Sequence, residues 1–276
     1  MSVSVLILTL NEQENLPACL ESVAWSDNVV ILDSFSSDKT CSVAEASGVR
    51  LVRRRFDNWA AHQNWAIENI QFKHPWIFYL DADERMTEAL KKEILAIASS
   101  EEEERVAYYC GRKNYFMGKW IKHAYPPGLI MRFFRPGKVH FERLVNPTPV
   151  IDGRHGYLRN YFLHFSFNKG LTEWFDKHNQ YSQFEAMEGM RLLGANAGTS
   201  LSLLSSDRAT RRKALKNMSF RLPCRPLLKF CYLYFFKRGF LDGRPGLSYC
   251  VLQSIYEYMI VLKMKEMRML GKGMRM

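Results

Sequence analysis

The stretch Trp76-Ile77-Phe78-Tyr79-Leu80-Asp81-Ala82-Asp83-Glu84 decides how this chain reads. An apolar run leads without interruption into three carboxylates within four positions. A short apolar run bounded in this way reads as a buried strand. Carboxylates at its carboxyl end stand where open α/β sheets bind their ligands. Acidic groups this close repel one another, so the arrangement makes sense when a cation or a hydroxylated ligand joins them. Oxygen-only ligands select a hard divalent cation, Mg2+ or Mn2+, and such a cation commonly also grips substrate phosphates. Taken alone, the acidic tripeptide reads equally well as a strand end followed by helix-capping acids.

Working outward, the first half alternates strand and helix patterns. Val3 to Leu8, Val29 to Leu32, Arg50 to Arg53 and Trp76 to Leu80 are strands. Glu14 to Val23, a segment opened by the Ser34–Asp38 turn and running to Ala46, Trp59 to Ile70, and Thr87 to about Ser99 are helices, with Asn11 as the expected cap of the first. This order predicts a mostly parallel sheet with helices on both faces. After Glu101-Glu102-Glu103-Glu104 the pattern turns mixed. Arg105 to Cys110 and Leu129 to Phe134 read as strands, with an aromatic, basic loop from Asn114 to Trp120 between them. Leu171 to Leu193 is a long helix carrying Trp174, His178, Tyr181 and Glu185 near one face, and Gly194 to Ser206 reads as a linker.

Three strand ends then fall on one edge of the sheet. They carry Thr9-Leu10-Asn11-Glu12, Asp33-Ser34-Phe35-Ser36-Ser37-Asp38-Lys39-Thr40 and Asp81-Ala82-Asp83. A nucleotide suits such an edge: one Asp accepts from base or ribose, and a metal neutralises the diphosphate.

These residues resemble the family 2 glycosyltransferases of GT-A fold. The likeness continues through Trp59, Gln63, Asn64, Gly118-Lys119-Trp120, Arg132-Phe133-Phe134-Arg135, Lys177-His178-Asn179-x-Tyr181-Ser182 and Gly239-Phe240-Leu241-Asp242-Gly243, and is similar to the bacterial subgroup that builds lipopolysaccharide core and exopolysaccharide. The resemblance implies a Rossmann-like α/β domain that transfers a sugar, with inversion, from a nucleotide-diphospho-sugar, a UDP-sugar by family habit. It implies that Asp33 contacts the nucleotide, Asp81 the ribose or the metal, and Asp83 the metal. Thr9, Asn11 and Glu12 would wall the nucleotide pocket, with Gln63, Asn64, Ala82 and Arg132 beside the donor. Lys119, Trp120, Lys177 and His178 would meet the acceptor. Stabilising the departing phosphate charge suits a divalent cation, and inversion needs a base on the opposite face of the sugar. In the subgroup a Val-His-Glu run supplies that region. Here it reads Val139-His140-Phe141-Glu142-Arg143-Leu144, with Phe141 interposed. Glu142 is the favoured base and His140 the second choice, and another register puts Asn146-Pro147 there with no carboxylate. Arg132 and Arg135 could clamp a phosphate or an acidic acceptor, or equally be solvated at a strand edge, and Arg53-Arg54-Arg55 could be a solvated run. His164 and His178 lack metal-ligand spacing.

Charge divides the chain. Residues 205–276 hold 16 Lys and Arg against 4 Asp and Glu, while the remaining 204 residues hold 23 against 24. The expected organisation is therefore a near-neutral catalytic domain over 1–204 and a basic, apolar, amphipathic helical tail over 205–276. The apolar runs Pro226–Phe236 and Leu247–Leu262 are shorter than the roughly 20 residues of a spanning helix. They predict helices lying in the interface of an anionic membrane, or alternatively packing as a helical core. The six cysteines form no CxxC pair and read as reduced thiols of a cytoplasmic protein. With no basic-then-apolar leader at the amino terminus, the expected location is peripheral on the inner face of the plasma membrane. The expected acceptor is a lipid-linked glycan or lipopolysaccharide core. Two rivals stay open. A nucleotidyltransferase would want a Gly-rich basic loop after the first strand, where Asn11-Glu12-Gln13-Glu14 stands instead. A nucleic-acid binder would use the tail aromatics to stack bases, but these sit in apolar runs, so no nucleic-acid partner is expected.

Overall fold

A computed structural model describes residues 2–125, 127–142, 147–194 and 224–271. They belong to two compact units, Met1–Trp120 with Pro126–Asn168, and Ile121–Tyr125 with Lys169–Met276. The boundary expected after residue 204 itself lies outside the described residues, and the second unit takes in the long helix that begins near residue 170.

In the first unit, β1 (Ser4–Thr9), β2 (Val29–Asp33), β3 (Arg50–Arg53) and β4 (Ile77–Asp81) lie parallel in the order β3-β2-β1-β4. Beyond β4 the sheet continues as β8 (Leu129–Phe134), β6 (Arg105–Phe116), β11 (Arg154–His164) and the short β5 (Glu84–Arg85). Strand β8 is antiparallel to both of its neighbours, whereas β6 and β11 are parallel. Two residues, β7 (Lys119–Trp120), fold back on β6, and β9 (Val139–Glu142) pairs with β10 (Thr148–Ile151) as a separate ribbon.

Strand alternation sorts the core into two layers. Val5 and Ile7 of β1, Val29 and Ile31 of β2, and Phe78 and Leu80 of β4 face one side. There α1 (Leu16–Val23) covers them with Leu16, Cys19, Leu20 and Val23, and α4 (Glu88–Ser99) with Leu90, Ile94 and Ala98. The α2 helix (Thr40–Ala46) adds Ala44 to the same layer. Leu6, Leu8, Val30, Leu32, Ile77 and Tyr79 face the other side, under Ala60 and Ala66 of α3 (Trp59–Asn69) and Val139 and Phe141 of β9. Both α3 and α4 start where a side-chain cap is present: Asn58 accepts from Ala61 N and Thr87 from Leu90 N.

Three local expectations change. Helix α1 starts at Leu16 behind Asn15, with proline in its first turn. Asn11 is therefore no cap and stands in the left-handed region at φ 55°. The strand expected to stop at Cys110 runs on to Phe116 and turns through Met117 (φ 50°) and Gly118 (φ 71°) into β7, so the aromatic loop is a tight hairpin. The basic run at Arg53 is not merely solvated: the Arg53 guanidinium lies 4.6 Å from the Phe35 ring centre, and Arg54 is paired with Asp57 at 2.7 Å.

In the second unit, α5 (Gly170–Gly194) packs on α7 (Gly243–Leu270) through Ala186, Ile260 and Met264. The short α6 (Arg225–Cys231) lies along α7, with Arg225 Nε 2.8 Å from Glu257 and Ser254 Oγ donating to Pro226 O at 2.7 Å. Part of the tail thus forms a packed core, the alternative to a purely interfacial tail. Among the described residues no helix is long and apolar enough to cross a membrane. No disulfide joins the six cysteines.

Candidate functional site

The parallel register of β1 and β2 sets Thr9 opposite Asp33. Thr9 Oγ1 donates to Asp33 Oδ1 at 2.9 Å, and Ser36 N donates to Asp33 Oδ2 at 2.8 Å. The Asp33 side chain is wholly buried, so this carboxylate first of all holds the turn after β2. The two loops are then laced together. Ser37 N donates to Asn11 Oδ1 at 2.8 Å, Asn11 N to Ser36 Oγ at 2.8 Å, and Glu12 N to Thr40 Oγ1 at 2.7 Å. Glu12 also accepts from Asn15 Nδ2 at 2.9 Å. The wall expected from Thr9, Asn11 and Glu12 therefore exists as one hydrogen-bonded unit with the Ser34–Asp38 turn. His62, buried in α3, faces this turn. Arg54 Nη1 donates to its Nδ1 at 2.9 Å, which places the ring proton on Nε2, 3.2 Å from Ser34 Oγ. Burial first, then the nearby Arg54 charge, lowers the His62 pKa to about 4.

The carboxyl end of β4 is built on a buried charge network. Tyr79 and Asp81, two apart on a strand, share a face, and Tyr79 OH donates to Asp81 Oδ1 at 2.6 Å. Arg132 Nη2 donates to Asp81 Oδ2 and to Glu84 Oε1, both at 2.7 Å, and Asp81 N donates to Glu84 Oε2 at 3.0 Å. Glu84 is fully buried and the Arg132 side chain is 5% exposed, while Asp81 keeps 36% of its side chain exposed. Burial raises the Glu84 pKa against the pull of Arg132. Arg132 stays firmly charged because Asp81 and Glu84 outweigh its own burial. The phosphate clamp expected of Arg132 thus meets a guanidinium already engaged as the shared counter-ion of two carboxylates, 4.2 Å from the Tyr79 ring centre. Arg135 is likewise drawn over Trp76, at 4.5 Å from the ring centre.

Gln63 joins the same network by donating to Tyr79 OH at 3.2 Å, and its buried Oε1 finds no partner among the described residues. Asn64 has another task. Its amide donates to Phe141 O at 2.9 Å and accepts from Phe141 N at 2.7 Å, tying β9 to α3. Ala82 faces the core, and its carbonyl accepts from Arg85 Nη1 at 2.7 Å. Asp83 stands 3.4 Å from Nε2 of His164, whose Nδ1 lies 2.9 Å from Asn114 Oδ1. His164 has no metal-ligand spacing in the sequence, yet the pairing of β11 with β5 and β6 carries it to the acidic turn. The parts played by Tyr79 and His164 escape sequence reasoning because each is polar within an apolar or unpatterned run, and Glu84, legible as an acid, gives no sign in the sequence that it turns inward to Arg132. The i, i+2 relation of Tyr79 to Asp81 is the one legible signal.

Asp81 and Asp83 offer oxygen donors, and among the described residues no third His, Cys, Asp or Glu joins them in a metal-holding group. Two carboxylates fit Mg2+ or Mn2+ in a site that substrate phosphates and water complete, rather than a closed protein cage.

Phe141, whose insertion breaks the Val-His-Glu pattern, has a physical reason. It is buried in the core, so alternation puts His140 and Glu142 together on the outer face of β9, with Nε2 and Oε1 3.5 Å apart. Residues 143–146 of the alternative register lie outside the described residues. The acceptor candidates divide between the units. Lys119 and Trp120 form β7 of the first, and Lys113 Nζ lies 4.4 Å from the centre of the Trp120 ring. Lys177 and His178 belong to the second. Lys177 pairs with Glu173 at 3.1 Å. His178 stacks on Trp174 at 3.7 Å, donates from Nδ1 to Trp174 O at 2.8 Å and meets Tyr256 edge-on, which makes it a packing residue.

The family model for glycosyl transferase family 2 matches residues 4–162, more than half of the chain and nearly all of the sheet just described. The chain is 30% identical over 199 residues to the lipopolysaccharide core biosynthesis glycosyltransferase LpsC of Rhizobium meliloti (strain 1021), covering 67% of this chain and 71% of that one. It is 20% identical over 283 residues to the uncharacterized glycosyltransferase RT0209 of Rickettsia typhi, covering 98% and 89%. Among solved structures, it is similar to glucosyl-3-phosphoglycerate synthase from Mycobacterium tuberculosis in complex with Mn2+ and UDP. That match has 18% identity over 42% of this chain and 44% of that one and a TM-score of 0.32, too loose a likeness to bear on function. On its sequence match and its sheet, the chain belongs to glycosyl transferase family 2 and is a glycosyltransferase.

Proposed function

We propose that this glycosyltransferase moves a sugar, with inversion, from a nucleoside-diphospho-sugar to lipopolysaccharide core or another lipid-linked glycan, at the cytoplasmic face of the plasma membrane. Asp81 carries the reading. A carboxylate held by Tyr79 and by a buried Arg132 is aimed before any ligand arrives, and its remaining exposure faces solvent at the carboxyl edge of the parallel strands. The neighbouring loops, tied by Asn11, Ser36, Ser37 and Thr40, offer a preformed wall for the nucleoside. Asp33 and Thr9 hold that wall in place, and Gln63 Oε1 offers an unmet acceptor to a donor hydroxyl.

Asp83 and Asp81 would hold Mg2+ or Mn2+, which supplies charge stabilisation for the departing diphosphate when bound. Glu142, exposed beside His140, takes the proton from the acceptor hydroxyl, with His140 as the alternative base. Lys119 and Trp120 are offered to the acceptor sugar. LpsC supports the acceptor class by its name, and a UDP-sugar remains the favoured donor.

A panel of nucleotide sugars, turned over with Mn2+ or Mg2+ and again with excess chelator, tests the reading. The expected result is one preferred donor and chelator-sensitive turnover. Asp83→Asn should lower turnover about 100-fold or more without moving the melting temperature. Glu142→Gln should abolish transfer while donor binding survives. Turnover that resists chelator removes the metal, and near-normal transfer by Glu142→Gln moves the base elsewhere.

A further inference from the structure

We infer that the turn joining α6 to α7 is a membrane-docking wedge that seats the enzyme on an anionic lipid surface. This rests on the peripheral-membrane reading above and adds which residues make the contact. The turn starts as a five-residue π-helical segment, Tyr232–Phe236, closed by Lys237 N donating to Tyr232 O at 2.8 Å. Arg238, at φ 58°, reverses the chain into a 3-10 turn, Gly239–Asp242, and Gly243 at φ 71° leads into α7.

This turn is bolted in place. A Cβ on Gly239 would stand 2.8 Å from Leu233 O and 3.0 Å from Cys250 Sγ, and one on Gly246 would stand 2.3 Å from Gly239 O. Asp242, almost wholly buried, accepts from the backbone N–H groups of Lys122, His123 and Ala124 at 3.1, 3.0 and 2.8 Å. The His123 ring adds a contact to Asp242 at 2.9 Å. The segment's one acidic side chain is therefore turned inward and consumed.

What the turn presents outward is apolar. Phe235, Phe236, Phe240 and Leu241 are all exposed, Phe236 to 83%. Lys237, Arg238 and Arg244 stand exposed among them. A slack loop would fold such aromatics inward. Here glycine contacts, two reversals at positive φ and a buried carboxylate hold them out. A patch that is both apolar and cationic, with no exposed acid among the described residues of the turn, has its complement in the interface of an anionic bilayer, where rings reach the acyl boundary and Lys and Arg meet phosphates. Phe and Leu with flanking cations are the composition of interfacial segments, and π-turns recur at functional sites.

The test uses the full chain and vesicles of phosphatidylcholine with and without phosphatidylglycerol. Wild type should sediment with the anionic vesicles. Phe236→Ser/Phe240→Ser and Lys237→Glu/Arg244→Glu should each weaken that partition about tenfold or more, with lipid-free donor hydrolysis unchanged. A Phe236→Trp variant should blue-shift with anionic vesicles and be quenched by brominated lipid. If wild type binds vesicles and both double variants bind equally well, the wedge is wrong while the membrane reading stands. If wild type ignores anionic vesicles, both fall. If the variants bind vesicles normally but change from a larger species to monomer in sedimentation velocity, the patch serves a second copy of this chain and the wedge is overturned.

Discussion

The end of β4 and the turn between α6 and α7 depart from ordinary burial in opposite ways. At the first, charge is inside: Glu84 is fully buried and Arg132 nearly so, and each is paired. At the second, apolar surface is outside, with Phe236 and its neighbours facing solvent. Buried charge is tolerable only when paired and hydrogen-bonded, so its placement can be read from the partners it recruits. The exposed aromatics touch only other rings of the same segment among the described residues, as Phe235 and Phe240 touch Tyr234, so their placement is read from what holds them out. The first device aims a carboxylate for chemistry. The second offers a surface to something larger.

The sharpest way to break this contrast is to remove the shared counter-ion. Arg132→Met should destabilise the chain by about 3–5 kcal/mol, because Asp81 and Glu84 then face each other without a cation. Urea unfolding of the variant measures it. Adding Glu84→Gln to the same chain should recover part of the loss, and an Arg132→Met variant as stable as wild type would mean that the network is not the brace described here.

Acid should sharpen the comparison next, at His62. Its folded pKa of about 4 lies below the ordinary 6.5, so the unfolded chain takes up the proton first. Its contribution is intact above about pH 6.5, falls as pH drops from 6.5 towards 4, and changes no further below that. The loss from this group amounts to at most about 3 kcal/mol across the window. His62→Gln should flatten that part of the stability profile, measured as unfolding midpoints from pH 7 to pH 4.

The smallest effect belongs to the other region. Phe236→Ser should leave the unfolding free energy from denaturant titration within about 0.5 kcal/mol of wild type, because a side chain already in water gives up no burial on folding. A clear loss of stability there would show the ring to be covered and would erase the contrast.

Much of the first unit is legible in the amino-acid sequence. Apolar runs of strand length, separated by helical patterns, mark β1 to β4. Where such runs end in Asn11, Asp33 and Asp81, the chemistry-bearing edge follows from topology alone, because parallel strands must end on the same side. The hairpin at Met117–Gly118 is hidden because its strand is aromatic and basic rather than alternating. The roles of Arg132 and Asn64 are hidden for a different reason. Side-chain type suggests a ligand, while the actual partners, Asp81 and Phe141, lie 51 and 77 positions away.

The sequence by itself determined the family, the layered sheet and which strand ends carry carboxylates, since these depend on periodicity and composition over a few residues. Only the tertiary structure decided that Asp81 is braced by Tyr79, Arg132 and Glu84 and that His164 stands beside Asp83. It alone showed that Phe141 turns inward to leave His140 and Glu142 outside, and that Asp242 is consumed by the backbone at 122–124. Each of these is a pairing forced by burial: a polar group removed from water must find a partner, and only the folded chain determines which groups are within reach.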